Sequence, residues 1–194
     1  MKYLKFLLFC AASVFGMSAY GQSTQIDHDG LEIAPATRLE RLESRSGTVI
    51  VKSFSEIGIT HGIGGSLIVA AVDVLDTFEK KHEYGLTLQL LRTGSDPRET
   101  SSYVDYDEID SLLQNAEYIS KITESATRLP IFRARYTTRD GISLFVFNRP
   151  NGEISAQVEL GHGVRESATF TLNDFAKIRQ IIANAKLKLD SVRQ

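Results

Sequence analysis

Residues 131–190, IFRARYTTRDGISLFVFNRPNGEISAQVELGHGVRESATFTLNDFAKIRQIIANAKLKLD, read as four strands followed by one amphipathic helix. Residues 131–138 alternate, with Phe132, Ala134 and Tyr136 on one face and Arg133, Arg135 and Thr137 on the other. Asp140-Gly141 supplies a tight hairpin, and residues 142–147 are the return strand. Pro150-Asn151-Gly152 makes the next turn, because proline presets φ and glycine accepts the left-handed region. Residues 153–160 alternate through Ile154, Ala156, Val158 and Leu160. A Gly-His-Gly loop leads to a fourth strand at 168–172, and Thr171 or Asn173 then caps a helix. Its apolar residues Phe175, Ile178, Ile182, Ala185 and Leu189 fall at steps of three and four, which draws one stripe down one face.

The first half follows the same order. Residues 48–54 form a strand, and 57–65 are a glycine-containing connection. Residues 66–75 are the most apolar run after the N-terminus, as expected of a strand buried on both faces. Leu86, Leu88 and Leu90 alternate along a third strand, 94–99 are a loop, and 101–106 are a fourth strand. Asp107 is placed to cap a helix whose face carries Ile109, Leu112, Ala116 and Ile119. At an offset of 66 residues those four positions fall on Phe175, Ile178, Ile182 and Ala185, which raises the question of an internal duplication. The expected fold is therefore α+β, with mainly antiparallel sheets in two successive strand-strand-strand-strand-helix halves. This element order resembles the Whirly and PUR-like nucleic-acid-binding folds over most of the mature chain. No residue role is taken from that resemblance.

Residues 1–21 have the layout of a secretory signal: Lys2 and Lys5, an apolar run from Phe6 to Phe15, and Ala19-Tyr20-Gly21 ahead of a cut between Gly21 and Gln22. The run is short for a membrane span, and nothing later is apolar for long enough, so no span is expected after cleavage. Residues 22–46 are polar and read as a linker or arm with a short helix near 37–44, and 47–190 as one domain with halves 47–123 and 130–190. The only cysteine, Cys10, lies in the signal, so the mature chain must be held by its core rather than by disulfides. A secreted or periplasmic location is expected. Losing Lys2 and Lys5 leaves 20 basic against 24 acidic residues, about −4, which argues against nucleic acid as a partner.

Few residues offer chemistry. Asp105, Asp107, Glu108 and Asp110 could be proposed for calcium, but acids at a helix start are what the helix dipole favours. His61 in His-Gly-Ile-Gly-Gly lacks a Gly-x-Ser-x-Gly partner, and a strand rather than a helix follows its glycines. His162 between Gly161 and Gly163 reads as a turn residue. No metal and no cofactor is expected. The basic residues are more informative. Arg133 and Arg135 share a strand face, with Arg92, Arg139 and Arg149 at strand ends or turns. Arg133, Arg135 and Arg92 are thus the candidate ligand-binding residues, suited to an anionic ligand. Alternatively, Glu153, Glu159 or Asp140 pairs with these arginines and the face is merely solvated.

The expected function is a non-catalytic accessory or binding domain of the secreted or periplasmic space, its partner an anionic ligand or an envelope protein. One alternative is a sheet-face binder of an anionic polymer (glycan, acidic peptide or nucleic acid), with exposed aromatics such as Tyr136 or Phe145. The other is a hydrolase with a loop-built site, in which His61 or His162 sits beside a carboxylate in a concave pocket.

Overall fold

The computed structural model describes residues 34–94, 96–162 and 164–193; the expected signal and residues 22–33 of the polar arm lie outside them. Two four-stranded antiparallel sheets, each followed by a helix, make up the chain. The first sheet is a meander of β1 (Ile50–Gly62), β2 (Gly65–Asp76), β3 (Lys81–Arg92) and β4 (Arg98–Asp105). The second is a meander of β5 (Arg133–Thr137), β6 (Ser143–Asn148), β7 (Ile154–Leu160) and β8 (Glu166–Thr171). Helix α1 (Arg38–Glu43) precedes the first sheet, α2 (Ile109–Ser120) follows it, and α3 (Leu172–Val192) follows the second.

Antiparallel neighbours are joined by short turns, as the predicted turn residues require. At the β5–β6 turn Gly141 takes φ +73° and donates its N–H to Thr138 O at 3.0 Å. At the β6–β7 turn Gly152 donates to Arg149 O at 2.8 Å.

The predicted connection at 57–65 is a correction. Strand β1 runs on to Gly62, with a bulge between Glu56 and Gly58, and the loop is only Ile63-Gly64. Gly58, Gly62 and Gly65 are there for close approach, and only Gly64, at φ +90°, serves the loop. A Cβ on Gly62 would lie 2.6 Å from Thr169 O and 2.7 Å from the Phe170 ring. That proximity lets Ile63, at the hairpin tip, form a two-bond antiparallel bridge with Thr169 on the edge of β8 (2.8 and 3.0 Å).

One core joins both halves. Leu67, Val69, Leu86, Leu88 and Leu90 of the first sheet meet Leu144, Val146, Val158 and Phe170 of the second, together with the buried stripes of α2 and α3. All five predicted α3 residues, Phe175, Ile178, Ile182, Ala185 and Leu189, are buried, as are Ile109, Leu112, Ala116 and Ile119 of α2. Burying Phe175, Ile178 and Ile182 contributes about 1.5–3 kcal/mol per side chain before entropy is counted.

The other face of the first sheet is covered by α1, whose Leu39 and Leu42 pack on Val72 and Val74. A capping box starts this short helix: Thr37 Oγ1 accepts from Glu40 N, and Glu40 Oε2 accepts from Thr37 N. Beyond α1 the outer edge of β1 is unpaired between Ile50 and Gly62 among the described residues.

Candidate functional site

The outer face of the second sheet is set by strand register. Arg135, Phe145, Gln157 and Thr169 lie side by side across β5 to β8, and Arg133, Phe147, Ser155 and Thr171 form the next row on the same face. The guanidinium of Arg133 sits 3.9 Å above the Phe145 ring, and that of Arg135 lies 5.7 Å from it. Arg133 also donates to Gln157 Oε1 at 3.3 Å, and Arg135 Nε donates to Thr137 Oγ1 at 2.8 Å. Both arginines are exposed.

Among the described residues no carboxylate pairs with either arginine, so the alternative of pairing with Glu153, Glu159 or Asp140 is not what the structure has. Those acids are engaged elsewhere. Glu159 pairs with Arg165 at 2.6 Å, Glu153 accepts from the Asn151 amide at 3.5 Å, and Asp140 is turned toward His162. The expected exposed aromatics are also corrected. Phe145 is buried beneath the arginines, and Tyr136 points to the core side, half-buried, with its hydroxyl 3.3 Å from Ser111 Oγ.

Arg92 does not join this face. It pairs at 3.3 Å with Glu166, at the opposite end of β8 from Thr171 in the Arg133 row. Arg139 is bound into the acidic cluster of the β4–α2 junction. Its guanidinium lies 3.0 Å from Asp107 and 3.4 Å from Asp105, and its backbone N–H donates to Glu108 Oε1 at 2.9 Å. Arg38 shares the same Asp107 oxygen, Oδ1, at 2.6 Å, and Lys186 takes Asp110 at 2.7 Å. Asp107 does not cap α2. A 3-10 turn at Tyr106–Glu108 intervenes, and neither start has a side-chain cap bond. Asp105 is diverted to α1 instead, accepting the N–H of Arg38 and of Leu39. In the second half Thr171 caps its own helix, accepting from Asp174 N at 3.1 Å.

One cluster was not foreseen. Glu40 of α1, Asp140 of the β5–β6 turn and His162 of the β7–β8 loop bring their ligand atoms within 4.8 Å of one another, the only such group among the described residues. Asp140 is buried; its Oδ2 accepts from Tyr103 N at 2.6 Å, and its Oδ1 is hydrogen-bonded to His162 Nε2. Burial first, and then the nearby Glu40 charge, push the Asp140 carboxyl up to about 6, against the pull of Tyr103 N–H and His162. Burial and the hydrogen bond to Glu43 push the Tyr103 phenol up as well. To ligate one ion, Asp140 and His162 would have to part, since ligands about 2 Å from a metal cannot also hydrogen-bond each other. As arranged, Asp140 fastens β4, through Tyr103 N, to two loops of the second sheet, while Glu40 of α1 stands beside it as a like charge. Signals for it were Thr-x-x-Glu and Asp-Gly, but nothing local in sequence brings them together.

The hydrolase expectation meets a divided arrangement. His61 Nδ1 lies 2.8 Å from Ser66 Oγ with no carboxylate bound to the ring, whereas His162 has the carboxylate and no bound hydroxyl, among the described residues. Neither the surface depression by Arg92 and Pro97 nor the one by Thr48 and Phe78 is lined by a histidine. Among the described residues no helix is long and apolar enough to cross a membrane. No protein-family model matches the chain, and neither a curated protein nor a solved structure is found to be similar to it.

Proposed function

We propose that the protein is a non-catalytic binding module of the secreted or periplasmic space that takes an anionic polymer on the outer face of its second sheet. The observation that supports this reading is the Arg133–Phe145–Arg135 arrangement: two exposed guanidinium groups at one aromatic ring, with no carboxylate partner among the described residues. An arginine fork fits a carboxylate, sulfate or phosphate with two parallel hydrogen bonds. The ring limits how each fork moves, so less side-chain entropy is lost when an anion arrives. Same-face residues two apart on a strand are about 7 Å apart, which suits a ligand with repeated charges. Gln157, Thr137 and Thr169 add neutral hydrogen-bonding groups on the same face. The acidic balance of the chain favours an acidic glycan or peptide over nucleic acid.

The test is a thermal-shift series on the chain from Gln22 to Gln194 with a polyuronate, a sulfated glycan, polyglutamate and a single-stranded oligonucleotide. At a hundred times its dissociation constant, a polyanion that binds the folded state adds about 2.7 kcal/mol. That is a rise of a few degrees for a domain of this size. The shift should vanish in Arg133→Ala/Arg135→Ala. No shift with any polyanion on a folded sample, or an equal shift in the double variant, overturns the reading.

A further inference from the structure

Strand β1 is the longest strand of the fold, and its outer edge is bare from Ile50 to Gly62 among the described residues. Such an edge offers a row of unpaired backbone N–H and C=O groups to another strand. This one is also apolar: Val49, Val51, Phe54 and Ile59 are 66, 47, 73 and 41% exposed. Phe54 is the centre of a short symmetric pattern, Lys52-Ser53-Phe54-Ser55-Glu56. Pairing with Val74, Val72 and Ala70 of β2 puts Lys52, Phe54 and Glu56 on one face, and the register stays regular until the bulge after Glu56.

We propose that β1 pairs antiparallel with β1 of a second copy of this chain, about a twofold axis at Phe54, joining the two first sheets into one eight-stranded sheet. In that register Phe54 faces Phe54, each Ser53 faces a Ser55, and each Lys52 faces the Glu56 of the other copy. A twofold axis demands that one patch complement itself, and a lysine and a glutamate equally spaced about an exposed phenylalanine do so. Directly opposed cross-strand residues lie within reach of one another on a common face, where unlike charges stabilise and like charges repel. Glu56 makes no ion pair within its own chain among the described residues, so it is free for this role. Lys52 is already drawn toward Glu43 at 3.2 Å and toward the Tyr103 hydroxyl, which positions its stem over the sheet without neutralising Glu56.

Edge charges and bulges also serve to repel other strands. A repelling edge places charge where like meets like across the axis; here the symmetric positions carry opposite signs.

Sedimentation equilibrium of the chain from Gln22 to Gln194, across micromolar concentrations, reads the association directly. The wild type is expected to dimerise reversibly, and Phe54→Ser to be monomeric over the same range. Glu56→Lys, an exposed change that leaves the fold's melting unaltered, is expected to weaken the dimer by about tenfold or more, because both symmetric pairs become Lys–Lys. Lys52→Glu/Glu56→Lys restores opposite charges and should recover most of the loss. A wild type that is monomeric throughout overturns the proposal. So does association unchanged by Glu56→Lys, as expected if another surface or partner uses a different face, and so does a double variant that fails to recover while remaining folded.

Discussion

Asp105 at the end of β4 receives the backbone N–H of Arg38 on both carboxylate oxygens, at 3.0 Å each, and that of Leu39 at 3.2 Å. It thereby ties the start of α1 to a strand 67 positions away and holds the Leu39 side chain against the sheet. Removing a buried acceptor leaves its donors unpaired, which costs more than the bond itself was worth. Asp105→Ala is expected to destabilise by about 3 kcal/mol, since Arg139 also loses its buried partner. Asp105→Asn keeps one acceptor oxygen and should cost less than half of that. Urea unfolding monitored by far-ultraviolet circular dichroism gives both values.

Asp140 predicts a pH dependence of unusual sign. Its folded carboxyl titrates near 6 against an ordinary 3.8, because burial and Glu40 disfavour the charged form. Between those values the folded state holds a proton that the unfolded chain has released. The stabilisation from this group is therefore complete below about 3.8 and is lost as pH rises through about 6. A displacement of that size corresponds to roughly 3 kcal/mol. Surface carboxylates such as half-buried Asp174 and exposed Glu117, held below their ordinary range by Lys177 and Lys121, act in the opposite direction as pH falls. The comparison that isolates Asp140 is thus with Asp140→Asn, whose amide can still accept from Tyr103 N. Relative to wild type, the variant should gain stability from pH 4 to about pH 6 and level off above it. A constant difference over that range would remove Asp140 from the account.

Arg92 separates the binding face from charge in general. Paired with Glu166 and remote from the Arg133 row, it should be dispensable for polyanion binding. Arg92→Ala is expected to leave the polyanion-induced melting shift intact, while Arg133→Ala/Arg135→Ala abolishes it. Equal losses would mean that net charge, and not the Phe145 arrangement, governs binding. Without ligand the double variant should lose only about 1–2 kcal/mol, the worth of two partly exposed cation–π contacts.

Ile178 tests the single core. It is 1% exposed and belongs to the cluster that unites both sheets. Ile178→Asp buries an unpaired charge and should unfold the whole domain in one transition, rather than only its second half. Phe175→Ala, milder in kind, should cost about 3–5 kcal/mol and keep a single transition. Two separated transitions in a calorimetric scan of Phe175→Ala would show that the halves are independent.

The helices and most strands were legible because their signals are local. The α3 stripe repeats at the helical period, and every residue in it is buried. Thr171 announced its cap, accepting from Asp174 N. Other features depend on neighbours distant in sequence. Gly58 and Gly62 resemble loop residues until Ile181 of α3 and Thr169 of β8 are found where their side chains would be. Asp107 looked like a cap until Arg38 and Arg139 claimed it. The candidate face was legible in Arg133 and Arg135 because period-two alternation places them together. Arg92 was drawn in by charge alone, and its partner Glu166 lies 74 positions away. The Glu40–Asp140–His162 cluster was illegible for the same reason, since its members come from three separate elements.

The bridge from Ile63 to Thr169 has a consequence for how the molecule comes into being. A chain emerging from the ribosome can close the β1–β2 hairpin early, but its tip has no β8 to hold until most of the sequence has been made. Closing so wide a loop late is slow, and the unattached sheet meanwhile presents the face of Leu67, Val69, Leu86 and Leu88, which the finished fold buries, to other chains. The order of synthesis thus makes the first sheet the part of this protein most in need of protection while it waits for the second.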